Sequence, residues 1–179
     1  MKVLFVNPII YTAETADIKR APSIKDTMSY DLCLAFKEEG HDVTLAAGEP
    51  FKPDKEGDYP FNIVWVKCAV PKIFKPNALP FCPDVIKLVS DESFDLVISS
   101  EIFSLNSLML SLTSRDNLIV WHELAKHNNI MRQLPSKIWY NLVAPTFFRG
   151  IPVKQEAKRQ ESSFHAFATM WLSLLSTTA

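Results

Sequence analysis

Apolar residues fall in short unbroken runs separated by stretches with helical spacing. Val3–Val6, Asp42–Ala47, Phe61–Val66, Leu96–Ser99 and Leu118–Trp121 each read as a strand. Between them, Ser23–Glu39 sets Leu32, Ala35 and Phe36 on one helical face, and Pro83–Asp91 and Phe103–Leu112 also have a helical pattern. Ser23, with Asp26 three residues on, is the expected N-cap of the first helix, and Gly40 sits where a C′ glycine belongs. Strands that are apolar throughout, alternating with helices, imply a parallel sheet covered on both faces. With right-handed crossovers the predicted fold is α/β, a Rossmann-like doubly wound parallel sheet.

Further on, residues 135–149 have a helical pattern that Pro145 is expected to kink, and Ile151-Pro-Val153 can open a sixth strand. The texture then changes. Lys154–Ser163 is polar without strand pattern, and Phe164–Leu175 is a mixed apolar run. We therefore expect a domain over residues 1–153 and an atypical tail over 154–179, frameshifted or partly disordered. Three connections exceed the usual 2–6 residues of α/β units: Pro8–Pro22, Gly48–Pro60 and Cys68–Pro83. Those following strands lie on the ligand side of such a sheet, so the first and third are candidates to shape a site.

Composition narrows the function classes. A net charge of −1 gives no electrostatic case for nucleic acid. Cys33, Cys68 and Cys82 are scattered without a C-x-x-C pair, which fits reduced thiols in a cytosolic protein better than a disulfide framework or a zinc site. No stretch approaches the roughly 20 apolar residues of a transmembrane helix, and the N-terminus lacks a signal-peptide core. A soluble cytoplasmic protein is expected. A peripheral membrane role, with Lys154, Lys158 and Arg159 ahead of Phe164–Leu175 as an interfacial anchor, is a further reading. Only four glycines occur, and neither G-x-G-x-x-G nor G-x-x-x-x-G-K-[ST] is present, so the usual backbone cradles for phosphate are absent from the sequence.

Candidate chemistry gathers at strand ends, because ligands of open α/β sheets bind outside the carboxyl ends of the strands. His122 ends the fifth run beside Glu123, and a neutral imidazole there can accept a hydroxyl proton or bind a sugar. Its structural alternative is a strand-end His satisfied by a backbone carbonyl. Glu123 can orient His122, bind hydroxyls or cap the next helix. Glu101 ends the fourth run and can equally be a charge at a helix N-terminus. Asn7 ends the first and is expected to bond loop backbone as well as ligand. His127 lies five residues after His122, which is not the H-E-x-x-H spacing, so no metal site is expected. His41 is expected to be a cation at a helix C-terminus.

Met1-Lys-Val-Leu-Phe-Val-Asn7, Leu34-Ala-Phe-Lys-Glu-Glu-Gly-His-Asp-Val-Thr-Leu45, Phe94-Asp-Leu-Val-Ile-Ser99 and Leu118-Ile-Val-Trp-His-Glu123 together resemble the N-terminal half of family-4 glycosyltransferases. The resemblance runs from Met1 to about Val153. It implies one half of a two-domain GT-B architecture that transfers sugar with retention from a nucleotide-sugar donor to a sugar or glycolipid acceptor. His122 matches the family's active-site histidine, with Asn7, Glu101 and Glu123 as substrate-binding candidates. The family often has a Gly-Gly pair before the first helix, where this chain reads Arg20-Ala-Pro-Ser-Ile24. The donor, a substrate rather than a cofactor, is bound in the family mainly by a C-terminal domain carrying an E-x7-E motif. The chain is therefore expected to be a truncated form, inactive alone unless a C-terminal domain or second chain completes it. The alternative is a stand-alone Rossmann-like ligand-binding or regulatory module without catalysis.

Overall fold

A computed structural model describes residues 1–10, 23–54, 57–74, 79–122 and 137–155, excepting the side chains of Arg115, His122, Lys154 and Gln155. The strands are β1 (Lys2–Asn7), β2 (Asp42–Gly48), β3 (Asn62–Val66), β4 (Leu96–Ser100), β5 (Leu118–His122) and β6 (Val153–Gln155). They form one sheet in the order β3-β2-β1-β4-β5-β6, every neighbouring pair parallel. Among the described residues the α-helices are α1 (Met28–Glu38), α2 (Asp84–Asp91), α3 (Leu105–Thr113) and the short α4 (Ala144–Phe147). This is the Rossmann-like α/β layer that the alternating pattern predicts.

Both faces are covered because successive strand residues point to opposite sides. Val3 and Phe5 of β1 join Val43 and Leu45 of β2 against Leu32, Cys33 and Phe36 of α1. Phe5 and Phe36 meet edge-on, with ring centroids 5.2 Å apart. Leu4 and Val6 face the other way, toward Val85 of α2, Leu110 of α3 and Phe148. Side chains buried this completely contribute about 1.5–3 kcal/mol each, so the uninterrupted apolar runs hold the two layers together.

The helix ends follow local chemistry, with one correction. Thr27, not Ser23, caps α1: its Oγ1 accepts from Tyr30 N at 3.2 Å. Ser23 instead accepts from Lys25 N at 3.1 Å, in the turn ahead of the helix. Both residues are good caps, and the Thr27 N–H bonded to Ile24 O shows that the chain first makes a separate turn. At the other end Gly40 has φ +86, His41 N donates to Phe36 O and Gly40 N to Lys37 O, the Schellman arrangement that an αL glycine permits. His41, expected there as a cation, is held in surroundings that disfavour its charged form. Burial first, then the positive amino terminus, holds its pKa below the ordinary value, against the opposing charge of Glu39.

Two details differ after β5. The expected kink at Pro145 is replaced by a π-turn over Trp139–Val143, in which Ala144 N donates to Trp139 O, before α4 begins. Widening the ladder to i→i+5 just before a proline is one way to accommodate its missing N–H. The sheet also continues to Gln155, two residues past the boundary expected at 153, because parallel pairing with β5 uses backbone groups alone. Residues 156–179, which hold most of the expected tail and the suggested membrane anchor, lie outside the described residues. Among the described residues no helix is long and apolar enough to cross a membrane.

Candidate functional site

The order of strands reverses between β1 and β4, since β1 pairs β2 on one side and β4 on the other. In open α/β sheets such a reversal marks where ligands bind, outside the carboxyl ends of the two strands. Val6 lies opposite Ser99 and Ser100 opposite Trp121, so Asn7, Ser100–Glu101 and the backbone of His122 stand side by side on one edge. The four sequence candidates separate at this point. Asn7 and Glu101 are described in full and His122 by its backbone; its imidazole and the whole of Glu123 lie outside the described residues, as do residues 11–22 of the first long loop.

Among the described residues Asn7 is bonded to side chains. Its Nδ2 donates to Ser29 Oγ at 2.8 Å, and its Oδ1 accepts from Ser100 Oγ at 2.9 Å. One amide thus ties β1 to β4 and to the first turn of α1. An amide has two donor hydrogens and two lone pairs, so these two bonds use half of its capacity.

Glu101 has left-handed backbone, φ +64. A side chain with Cβ rarely adopts that region, and the strain is of the order of 1–2 kcal/mol. The surroundings hold it there. Glu101 N donates to Trp121 O at 2.7 Å, and Glu101 O accepts from Ser104 N at 3.0 Å and from Ser107 Oγ at 2.8 Å. Ser107 is fully buried and lies 2.7 Å from the hydroxyl of Ser99. The N-cap of α3 is Ser104, and the first turn of that helix holds no acid, so Glu101 stands ahead of the helix rather than in its first turn as a dipole charge.

The π-turn supplies a residue that local pattern did not signal. Trp139 Nε1 donates to Ile102 O at 3.0 Å, and Tyr140 meets Phe103 edge-on at 6.0 Å. Both contacts fasten the turn after β4. Burial first and the negative charge of Glu101 second push the Tyr140 hydroxyl up to about 12. It therefore stays a neutral donor and acceptor at ordinary pH. A carboxylate on strained backbone and a bonded amide stand at the strand-order reversal, with a phenol close enough to feel the carboxylate's charge; together they offer hydrogen-bond acceptors and donors.

Gly48 is a second residue whose purpose only the fold reveals. A Cβ built there would lie 2.5 Å from the carbonyl oxygen of Pro8, the group to which Gly48 N donates. This glycine serves close approach to backbone at the end of β2. A separate cleft of about 240 Å³, lined by Gly57, Tyr59, Phe61, Asn62, Ile63 and Trp65, lies along the outer strand β3, three strands from β4. No protein-family model matches the chain, and no curated protein matches it in sequence.

Proposed function

We propose that this chain is the acceptor-side, Rossmann-like half of a GT-B glycosyltransferase. The observation that carries the reading is Glu101, held in a strained left-handed turn at the strand-order reversal with Asn7 on the neighbouring strand. The resemblance of the strand-end segments to family-4 glycosyltransferases supplies the chemistry. In this reading Glu101 and Asn7 bind acceptor hydroxyls, Tyr140 closes the far side, and His122, the last residue of β5, is the active-site histidine. The acceptor oxygen attacks the anomeric carbon, the bond to the nucleoside diphosphate breaks, and the acceptor proton passes to base or leaving group. The nucleotide-sugar is held chiefly by a second Rossmann-like unit, in agreement with the absence of a glycine-rich phosphate loop in this sequence.

The test is ligand-observed NMR on the chain with a panel of free saccharides, glycolipid headgroups and nucleoside diphosphates. Saccharide binding is expected, weakened about tenfold or more by Glu101→Gln, because a hydrogen bond to a charged group contributes about 1.5–3 kcal/mol. Nucleoside diphosphates are expected to bind weakly by comparison. Tight nucleotide binding with no response to any saccharide would sink the reading. The second reading, a ligand-binding module without catalysis, draws on Asn7 serving as a strut of the fold through Ser29 and Ser100. Saccharide binding that persists while no glycosyl product forms with any donor-binding partner would favour it.

A further inference from the structure

The sequence scatters its cysteines, but the fold brings two together. Cys68 and Cys82 lie with their sulfurs 3.5 Å apart, within hydrogen-bonding reach and not joined. They stand at the two ends of the strap that leaves β3 and leads to α2. Ala69 N donates to Phe81 O at 2.7 Å, so the ends of the strap are already paired by backbone. The second end is pinned to α3 by Asn106, which is buried: its Oδ1 accepts from Cys82 N at 2.8 Å and its Nδ2 donates to Pro80 O at 2.9 Å. The first end contains Val70 at φ +47, an unusual backbone for a β-branched residue, and Ile73 and Phe74 both donate to its carbonyl.

We propose that Cys68 and Cys82 form a redox-active thiol pair, oxidised by low-molecular-weight disulfides to a bond that clasps this strap against the first turn of α3. The two sulfurs are unequal. Cys82 is 1% exposed, while Cys68 is only half-buried and reachable from solvent. The hydrogen bond from Cys82 lowers the Cys68 pKa, against burial and the charge of Glu49, and the same bond with burial raises that of Cys82. Cys68 is therefore the attacking thiolate and Cys82 the resolving thiol. The Cys68 sulfur attacks one sulfur of the oxidant RSSR; its S–S bond breaks, and RS⁻ leaves to take up the proton that Cys68 lost. The Cys82 sulfur then attacks the Cys68 sulfur of the mixed disulfide, gives up its proton, and a second RSH departs. Both cysteines are oxidised and one RSSR is reduced to two RSH. Cys33, fully buried with its pKa raised by burial, is the built-in control.

The experiment incubates the chain in graded glutathione/glutathione disulfide buffers, quenches with an alkylating reagent and maps peptides by mass spectrometry. The expected product has lost two hydrogen atoms and links the peptides carrying Cys68 and Cys82. Cys82→Ser should accumulate one glutathione on Cys68, formed at least about tenfold faster than any adduct on Cys33, as thiolate character and access dictate. Cys68→Ser should leave Cys82 unmodified over the same period. No cross-link at any buffer ratio would overturn the proposal, as would separate adducts on both cysteines of the unmutated chain.

Discussion

The two edges of the sheet use polar groups in opposite ways. At the amino edge, Lys2 Nζ reaches Glu92 at 2.7 Å and lies 4.9 Å above the Phe94 ring; both members of the ion pair are well exposed. Lys2 N donates to Asp95 Oδ2, and Asn117 Nδ2 to Phe94 O. These are surface stitches between the starts of strands. At the carboxyl edge the bonded groups are Asn7, Ser29, Ser100, Ser99 and Ser107, mostly buried, and they hold one residue in an unfavourable conformation. A charge at the first edge is screened by water, whereas a hydroxyl at the second has no replacement partner if its bond is lost. Strain is tolerated only where such bonds over-determine it.

Matched substitutions give the most direct way to break this contrast. Asn7→Leu removes two hydrogen bonds and strands the hydroxyls of Ser29 and Ser100, an expected loss of about 2–3 kcal/mol in urea unfolding. Lys2→Met should lose less than about 1 kcal/mol, and only the parent's advantage over this variant should shrink with salt. Equal losses would erase the distinction. Next in size, Glu101→Gly should stabilise the fold by about 1 kcal/mol, because glycine adopts φ +64 without penalty. The same change should abolish saccharide binding. A destabilised variant would mean that the carboxylate's own contacts outweigh the backbone strain.

A smaller effect is read from the Tyr140 ring. Its titration, followed by NMR of ring-labelled tyrosine, should have a midpoint near 12. Glu101→Gln should lower that midpoint yet leave it above the ordinary value of 10, since burial is the larger cause. The unfolded tyrosine ionises first, so this group makes stability fall as pH rises between about 10 and 12. An unmoved midpoint in the variant would separate the two side chains. The smallest effect belongs to the amino edge, where His41 follows α1. Its folded pKa is lowered, so the unfolded chain binds the proton more readily, and stability declines as pH falls below the ordinary 6.5. His41→Gln should flatten that part of the stability profile; an identical acid slope would exclude the histidine as its source.

Strands were legible in sequence because an apolar run needs no distant partner to be recognised, and β1 through β5 lie close to where periodicity put them. The start of α1 was not, because Ser23 and Thr27 both have capping side chains and only the intervening turn decides between them. Asn7, Glu101 and His122 were legible as strand ends, a property of single positions. Tyr140 feels the charge of Glu101 from a π-turn across 38 intervening residues, and Cys68 meets Cys82 only because the strap's ends are paired. No local spacing carries such information. Gly48 shows the same limit, since nothing near it in sequence reveals that the Pro8 carbonyl will stand where a Cβ belongs.

The wide turn at Trp139–Val143 accommodates one residue more than an ordinary helical turn of the same kind. Removing a single codon after Tyr140 within it would restore α-helical register to the stretch leading into α4 and swing the aromatic pair at its start by about 100° around the helix axis, one residue's share of a turn. The phenol beside Glu101 is thus one in-frame deletion away from being withdrawn, with the sheet untouched. In the proposed reading, variation of ligand preference would be cheapest there, by length rather than by substitution.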